Sequence, residues 1–546
     1  MPLLLVLTII LPLLGAGGTL GLSRVPRFRP YTRYIILTVV GLTTILTLML
    51  RWMESAVVVS SLWQPSLLFG SALTWQVDRT IQPLSFVLSL VTCSSVLVEL
   101  GRRDDSHPRL ASAVLALLSA GLMTMWSANV LTMVISWAIY DLLQAVVYIA
   151  AGGSVHTAIR GIVLGNLATV LLWAGAVLSG SGADSKLWSL MTLGETSLTL
   201  WAVAGMLRLW AHPFHLSAPD DLVAAPPLAT PLLLGPIVGW GFWLRLSTVN
   251  GGLIPGDAWV STLAAGTLAL GGALAWSCES PRRLLPWVGM GANGALLLVA
   301  GLMGESAVSI IVVGSVGWAL GITVFFLGDG WHRKSLWWNV PAVVGLLTLL
   351  GSPLTLRFVT AAPLLGALVQ ESHIEWGAAF WGALIGTMFL VPSLVRRLLI
   401  APLDSLPDRR EMVVARGVGL GLPTMLLIVA GLFPPLLIGG DVGSAIPSLG
   451  SLFAMPGLVG WLLWAVALAC GGLVAWQERV LRSRMGLLLD AVHDVLRLEW
   501  LYSLVTGAFN RGLSVFRAAS QVIGGSGALL WSLLLFLLLL LVWSGL

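Results

Sequence analysis

Charged residues are scarce in this chain of 546 residues, because Asp, Glu, Lys and Arg together make up only 10% of it. Soluble domains carry about 25% charged residues. This scarcity excludes a soluble enzyme, a disordered chain and a fibrous protein. Apolar residues make up 57% of the sequence and form long runs, so we expect a polytopic membrane protein.

Cysteine and clustered acidic residues are also scarce. The three cysteines, Cys93, Cys278 and Cys470, are far apart and form no CxxC pair, which excludes a disulfide framework and a cysteine metal site. Adjacent acidic residues occur only at Asp104-Asp105 and Asp220-Asp221, whereas a polytopic lipid-linked-sugar enzyme would need a cluster of acidic metal ligands. We therefore expect no metal, no cofactor and no catalytic residues on this chain.

The net charge of +5 does not indicate nucleic-acid binding, because no Lys/Arg-rich tract with interleaved aromatic residues is present. In membrane proteins basic residues gather in cytoplasmic loops. When the loops are assigned alternately to two sides, most of the 29 basic residues fall on one side. We expect those loops in the cytoplasm, both termini outside, and a multi-pass location in the plasma (inner) membrane of a prokaryote.

The apolar runs predict about 16 membrane-spanning helices at about 20 residues per span. The predicted spans, numbered 1 to 16, lie near residues 1–22, 34–52, 81–100, 109–126, 129–151, 157–179, 190–211, 228–247, 258–277, 284–303, 307–327, 337–356, 376–395, 418–438, 456–476 and 525–545. The stretch 477–522 instead alternates charged and apolar residues at helical spacing. This pattern is typical of an amphipathic helix that lies on the membrane surface, and if unbroken it would reach roughly 60 Å.

Two spans are interrupted by proline, which removes a backbone hydrogen bond and breaks or kinks a helix. Span 7 runs into Pro213 and Pro219, and span 12 contains Gly351 and Pro353. Each is the fourth span of a five-span block, so the blocks would be inverted repeats with matching broken helices, as in many ion translocators. Structural prolines alone are the competing explanation.

The predicted organisation is 1–108 for spans 1–3, 109–250 for the first repeat, 251–400 for the second, 401–476 for spans 14 and 15, 477–522 for the lateral helix and 523–546 for the last span.

Charged residues inside spans are candidates for an ion pathway, because burying them is costly. Asp141 lies midway along span 5, Arg208 precedes the break in span 7, Arg357 lies at the break in span 12, and Glu195 lies near the outer end of span 7. We expect Asp141 and Arg208 to pair, since either charge alone would be unstable. A purely structural ion pair is the alternative interpretation. The other candidates at the first break are His212, His215 and Asp220.

The sequence resembles the antiporter-like membrane subunits shared by respiratory complex I, membrane-bound hydrogenases and multi-subunit sodium/proton antiporters. The break in span 7 matches the family pattern PFHxxxPD from Pro213 to Asp220. Weaker matches follow in the same order, at Ser280 to Trp287 in span 10 and Gly351 to Phe358 in span 12. The resemblance covers roughly residues 80–400, and the layout with a lateral helix is similar to the large distal member of the group.

The family's titratable residues are largely replaced here. The span 5 glutamate position is Ala138, with Asp141 one turn later, and the lysine positions of spans 7, 11 and 12 are Arg208, Ile322 and Ala361. Lysine can release a proton when it is buried, whereas arginine effectively never deprotonates. The family's lysine relay is therefore absent, and the remaining polar path is confined to the first repeat.

The resemblance implies an ion (proton)-translocating membrane subunit of a complex-I-related respiratory or hydrogenase assembly. Other membrane subunits and the lipid bilayer would be its partners, and any redox cofactor would be held by those subunits. The alternative is a paralogue that no longer conducts ions and acts as a scaffold or conformational coupler.

Overall fold

The structure is a computed structural model. It describes residues 2–53, 55–60, 72–102, 107–180, 187–222, 225–255, 258–333, 335–370, 374–403, 409–437, 446, 450, 454–455, 457–524 and 528–543. Lys186, Lys334, Arg103 and the pair Asp104-Asp105 lie outside the described residues.

Helices dominate the described part of the chain. They are α1 Pro2–Ser23, α2 Thr32–Met49, α3 Gln82–Leu100, α4 Pro108–Met125, α5 Val130–Ala150, α6 Val155–Ser179, α7 Glu195–Arg208, α8 Gly235–Val249, α9 Ala258–Ser277, α10 Leu285–Leu302, α11 Ala307–Leu327, α12 Val340–Leu349, α13 Phe358–Gln370, α14 Ile374–Leu398, α15 Arg410–Leu432, α16 Gly457–Trp476, α17 Glu478–Leu496, α18 Glu499–Gly524 and α19 Ala528–Trp543.

The all-α polytopic fold predicted from the sequence is confirmed. Among the described residues, 13 helical segments are long and apolar enough to cross a membrane. The three remaining predicted spans correspond to the 14-residue helix α7, the 10-residue helix α12 and the 16-residue helix α19. Helix α13 lies between predicted spans 12 and 13 and was not predicted. The inverted symmetry of the two repeats stays a prediction.

Both predicted helix breaks are present. After α7 the chain continues without α-helix through a short 3-10 turn, His215–Ser217, and a longer 3-10 segment, Pro227–Leu234, which leads into α8. Between α12 and α13 the backbone takes positive φ angles of 70° at Gly351 and 65° at Leu354. These angles are incompatible with a continuous right-handed helix.

A small β-hairpin was not predicted from the sequence. Strands β1, Ala56–Val59, and β2, Thr74–Val77, pair antiparallel, with Ala56 opposite Val77. The turn that follows β2 is joined to α8 by an ion pair between Asp78 Oδ2 and Arg245 Nη1, at 2.5 Å. Arg245 also donates a hydrogen bond to the Gln76 carbonyl, so the hairpin is fixed to the helix bundle.

The amphipathic stretch 477–522 forms two helices, α17 and α18, and not one unbroken helix. The helices are separated at Arg497 and Leu498, where Leu498 has a φ of 58°. By its contacts the chain also divides into two units, Met1–Asp490 and Ala491–Leu546. In the first unit, Glu478 at the start of α17 pairs with Arg396 of α14 at 3.5 Å.

Several arginines are buried in the first unit. Arg160, Arg245, Arg397 and Arg416 are at most 3% exposed. Each belongs to a helix, namely α6, α8, α14 and α15. Each of these buried charges needs compensating groups inside the bundle.

Candidate functional site

The predicted pairing of Asp141 and Arg208 is present. The Arg208 guanidinium donates to both carboxylate oxygens of Asp141, with a distance of 2.9 Å from Nη2 to Oδ2 and a closer contact from Nη1 to Oδ1. The Asp141 and Arg208 side chains are 4% and 9% exposed. This is the bidentate geometry in which arginine binds carboxylates most strongly.

Helix α6 completes the surroundings of the pair. Arg208 Nη2 also donates to the Gly165 carbonyl at 2.9 Å and to the Thr169 hydroxyl at 3.3 Å. A Cβ at position 165 would overlap the Asp141 carboxylate, so this close approach requires glycine. On the other side, the guanidinium carbon lies 4.4 Å from the centre of the Trp137 ring, a cation–π contact.

A cavity adjoins the ion pair. Besides Asp141 and Arg208, its lining includes polar side chains from α5, α6 and the span 7 break: Tyr140, Gln144, Tyr148, Thr157 and Ser217. Hydroxyl and amide groups of this kind can hold water beside a buried ion pair. The described residues that line the cavity do not include His212 or His215.

The backbone groups freed by the break in span 7 bind residues of the second predicted repeat. The His212 amide donates to the Thr267 hydroxyl of α9 at 2.9 Å, and the Leu209 carbonyl accepts from the Asn293 side-chain amide of α10 at 2.8 Å. Asn293 is oriented by Trp240 of α8, whose indole N–H donates to its Oδ1 at 3.0 Å. Non-helical backbone at membrane depth requires such partners, and the sequence analysis did not identify them.

The two histidines lie together at the break. Their rings stack with centres 5.3 Å apart, and the fully buried His215 ring meets Trp287 edge-on at 5.6 Å. Close to the histidines, Asn293 and Thr267 form the hydrogen bonds with the freed backbone at Leu209 and His212.

Asp220 belongs to a second charged cluster. Its Oδ1 lies 3.6 Å from Nη2 of Arg160, which is 1% exposed. Beside this pair, Asp221 accepts hydrogen bonds from the Ser154 amide at 3.1 Å and the Thr157 hydroxyl at 3.3 Å. These bonds tie the far end of the span 7 break to the start of α6.

The remaining candidates, Glu195 and Arg357, lie apart from the ion pair. Glu195 is exposed in the first turn of α7, whereas Arg208 is in its last turn. Arg357 is 8% exposed at the break in span 12, where it donates to the Leu349 carbonyl at the end of α12. Trp464 of α16 donates to the next carbonyl, that of Leu350, at 2.8 Å. A cation at a helix C-terminus is stabilised by the helix dipole, so Arg357 contributes to the stability of this break.

Solved structures share the fold of this chain, including its helical architecture. One similar chain comes from the structure of the Mrp complex of Dietzia sp. DQ12-45-1b, with a TM-score of 0.81 and 16% identity; the match covers 98% of this chain and 62% of that one. Another comes from the membrane-bound sulfane sulfur reductase (MBS), an archaeal respiratory membrane complex, with a TM-score of 0.71, 16% identity and coverage of 98% and 99%. No family model and no curated protein matches the sequence.

The chain therefore has the fold of one chain of the Mrp complex and of one chain of an archaeal respiratory membrane complex. The resemblance predicted from the motifs is confirmed at the level of the fold. The chain spans less than two thirds of the length of the Mrp chain that it matches.

Proposed function

We propose that this chain is an ion-translocating, antiporter-like subunit of a multi-subunit membrane complex, and that its proton path runs through the first repeat alone. The observation that carries this proposal is the bidentate Asp141–Arg208 pair beside a cavity at the break in span 7. A broken helix next to a buried ionisable pair is the arrangement that translocators use at membrane depth.

The two charges have different roles in this proposal. Arginine does not deprotonate, so Arg208 is the fixed charge and Asp141 is the group that takes up and releases a proton. Protonation of Asp141 removes its charge and weakens the pair, which frees the guanidinium to bind the Gly165 carbonyl and Thr169 alone. Proton exchange is thereby coupled to a local rearrangement between α5, α6 and α7.

The second repeat supplies no equivalent group at the aligned positions. Ile322 of α11 is completely buried, and Ala361 lies in α13. In the described spans of that repeat, Arg357 is the charged residue nearest the helix break, and it binds a backbone carbonyl. The family's lysine relay therefore does not operate in this chain under our proposal.

A scaffold that does not conduct ions is the second candidate. It is favoured by the same pair, because Arg208 engages both oxygens of Asp141 and could hold α5 to α7 without any proton exchange. In either case the basic loops face the cytoplasm, other membrane subunits are the partners, and redox cofactors belong to those partners.

Proton flux into liposomes that contain the purified parent complex separates the two candidates. We expect Asp141→Asn to lower the flux at least tenfold, and Glu195→Gln, which changes the exposed carboxylate of α7, to leave it unchanged. Assembly of each variant is checked by gel filtration of the complex. Normal flux through an assembled Asp141→Asn complex would favour the scaffold and contradict the translocation proposal.

A further inference from the structure

A second cavity lies among the ends of α3, α11 and α14 and the start of α15. It shares no lining residue with the cavity beside Asp141. Its lining includes four arginines and one aspartate, namely Arg102, Arg282, Arg397, Arg416 and Asp329. Arg397 and Arg416 are buried, whereas Arg102 and Arg282 are partly exposed.

The one aspartate already has other partners. Asp329 Oδ1 accepts from Arg282 Nη1 at 3.1 Å, and Oδ2 accepts from the Leu403 amide at 2.7 Å. Asp329 therefore neutralises Arg282 and fixes the loop at Leu403.

Arg397 is the group that points to a ligand. It is 3% exposed, and its Nε and Nη1 atoms have no hydrogen-bond partner among the described residues. A buried guanidinium with open donors is costly, and an anion in the cavity would supply the missing acceptors.

The walls of the cavity are already held in place. Arg282 Nη2 donates to the Ala401 carbonyl at 2.9 Å, the Trp331 amide donates to the Ile400 carbonyl at 3.0 Å, and Arg416 lies 5.6 Å from the centre of the Trp338 ring. A site whose side chains are fixed before binding loses little entropy on binding. Leu403 on the lining is 49% exposed, so the cavity reaches the surface of the protein.

We propose that this cavity binds a phosphate group. A guanidinium group can bind two oxygens of a phosphate through two parallel hydrogen bonds. Basic pockets between membrane helices are typical sites for anionic lipid head groups. The phosphate belongs either to an anionic phospholipid or to a soluble phosphate compound. The site is independent of the proposed ion path, and its test is a binding measurement that does not involve transport.

The test uses the purified full-length chain, stripped of lipid in detergent. Its melting temperature is measured with added phosphatidylglycerol, phosphatidylcholine, inorganic phosphate or pyrophosphate, and retained lipid is counted by native mass spectrometry. We expect phosphatidylglycerol or a soluble phosphate, but not phosphatidylcholine, to raise the melting temperature. Stabilisation by phosphatidylglycerol alone identifies a lipid, and stabilisation by phosphate or pyrophosphate identifies a soluble ligand.

Arg397→Gln and the double variant Arg282→Gln/Arg416→Gln should each weaken binding at least tenfold. The matched control is Arg409→Gln, which removes an exposed arginine just before α15 and should bind like the wild type. The double variant keeps the test valid if Arg397→Gln does not fold. The proposal is wrong if neither phosphatidylglycerol nor a soluble phosphate stabilises the wild type more than phosphatidylcholine does, or if folded cavity variants bind as tightly as the control.

Discussion

At the scale of single residues, the Asp141–Arg208 pair could be predicted because each is a rare charge in an apolar span. The residues that surround the pair could not be predicted. Gly165 and Thr169 contact Arg208 from a helix about 40 residues earlier in the chain, and no local pattern marks that contact. The partner of Arg160 could not be predicted for the same reason, because Asp220 lies beyond the next helix.

Gly165 gives the most direct test of the geometry of the pair. Gly165→Ala adds a methyl group that would overlap the Asp141 carboxylate, so we expect the pair to be displaced and the protein destabilised by about 1–3 kcal/mol, as is usual for overpacking. Gly161→Ala, one turn earlier in α6, meets no atom within 4 Å and should be neutral or slightly stabilising. Thermal melting of the two variants measures the difference, and equal melting temperatures would contradict the described contact.

Asp78 predicts a pH effect outside the spans. Burial raises the pKa of Asp78, whereas the charge of Arg245 and the hydrogen bonds from Thr80 and Ile81 lower it. The lowering effects together are larger, so the pKa of Asp78 lies below the ordinary value. A carboxylate with a lowered pKa stabilises the fold above its unfolded pKa of about 3.9, and this stabilisation is lost as the pH falls through the folded pKa.

The expected result is a melting temperature that decreases as the pH is lowered below about 4, with a smaller decrease in Asp78→Asn. At neutral pH the variant should lose about 3 kcal/mol, the lower end for breaking a buried pair, because a quarter of the Asp78 side chain is exposed. Melting curves between neutral and acidic pH test this. Identical pH profiles for variant and wild type would show that Asp78 does not carry the effect.

At the scale of elements, both helix breaks could be predicted from proline and glycine, and the amphipathic character of 477–522 from its periodicity. The interruption at Leu498 could not, since no proline or glycine marks it. The polar side chains that form hydrogen bonds with the freed backbone at the break in span 7 were also not predicted. Thr267 and Asn293 are ordinary polar residues in apolar helices, and only the packing of α9 and α10 brings them to the break.

Removal of these polar groups should destabilise the break. Thr267→Val leaves the His212 amide without its partner, which costs about 1–3 kcal/mol for a buried donor. Thr262→Val in the same helix is the control, because the Thr262 hydroxyl is exposed and binds only its own helix at Ala258. Hydrogen exchange of the amides of residues 209–215 should increase in the first variant and stay unchanged in the control. Unchanged exchange in both would exclude this role for Thr267.

At the scale of the whole molecule, hydropathy was sufficient to predict the all-α polytopic fold. The motifs were sufficient to predict the resemblance to antiporter-like chains. The sidedness predicted from the count of basic residues stays a prediction. The two predicted repeats differ in chemistry. The first holds a buried carboxylate–guanidinium pair, whereas at the break of the second Arg357 and Trp464 donate to backbone carbonyls and line a pocket with no carboxylate among its described residues.

The central claim is that ions cross this chain through the first repeat alone. The most direct measurement is proton uptake per turnover by liposomes containing the assembled parent complex, with an altered first or second repeat. We predict that Asp141→Asn/His212→Ala/His215→Ala removes the contribution of this subunit, whereas Arg357→Gln retains it. Loss of uptake in an assembled Arg357→Gln complex, together with normal uptake in the triple variant, would contradict the account.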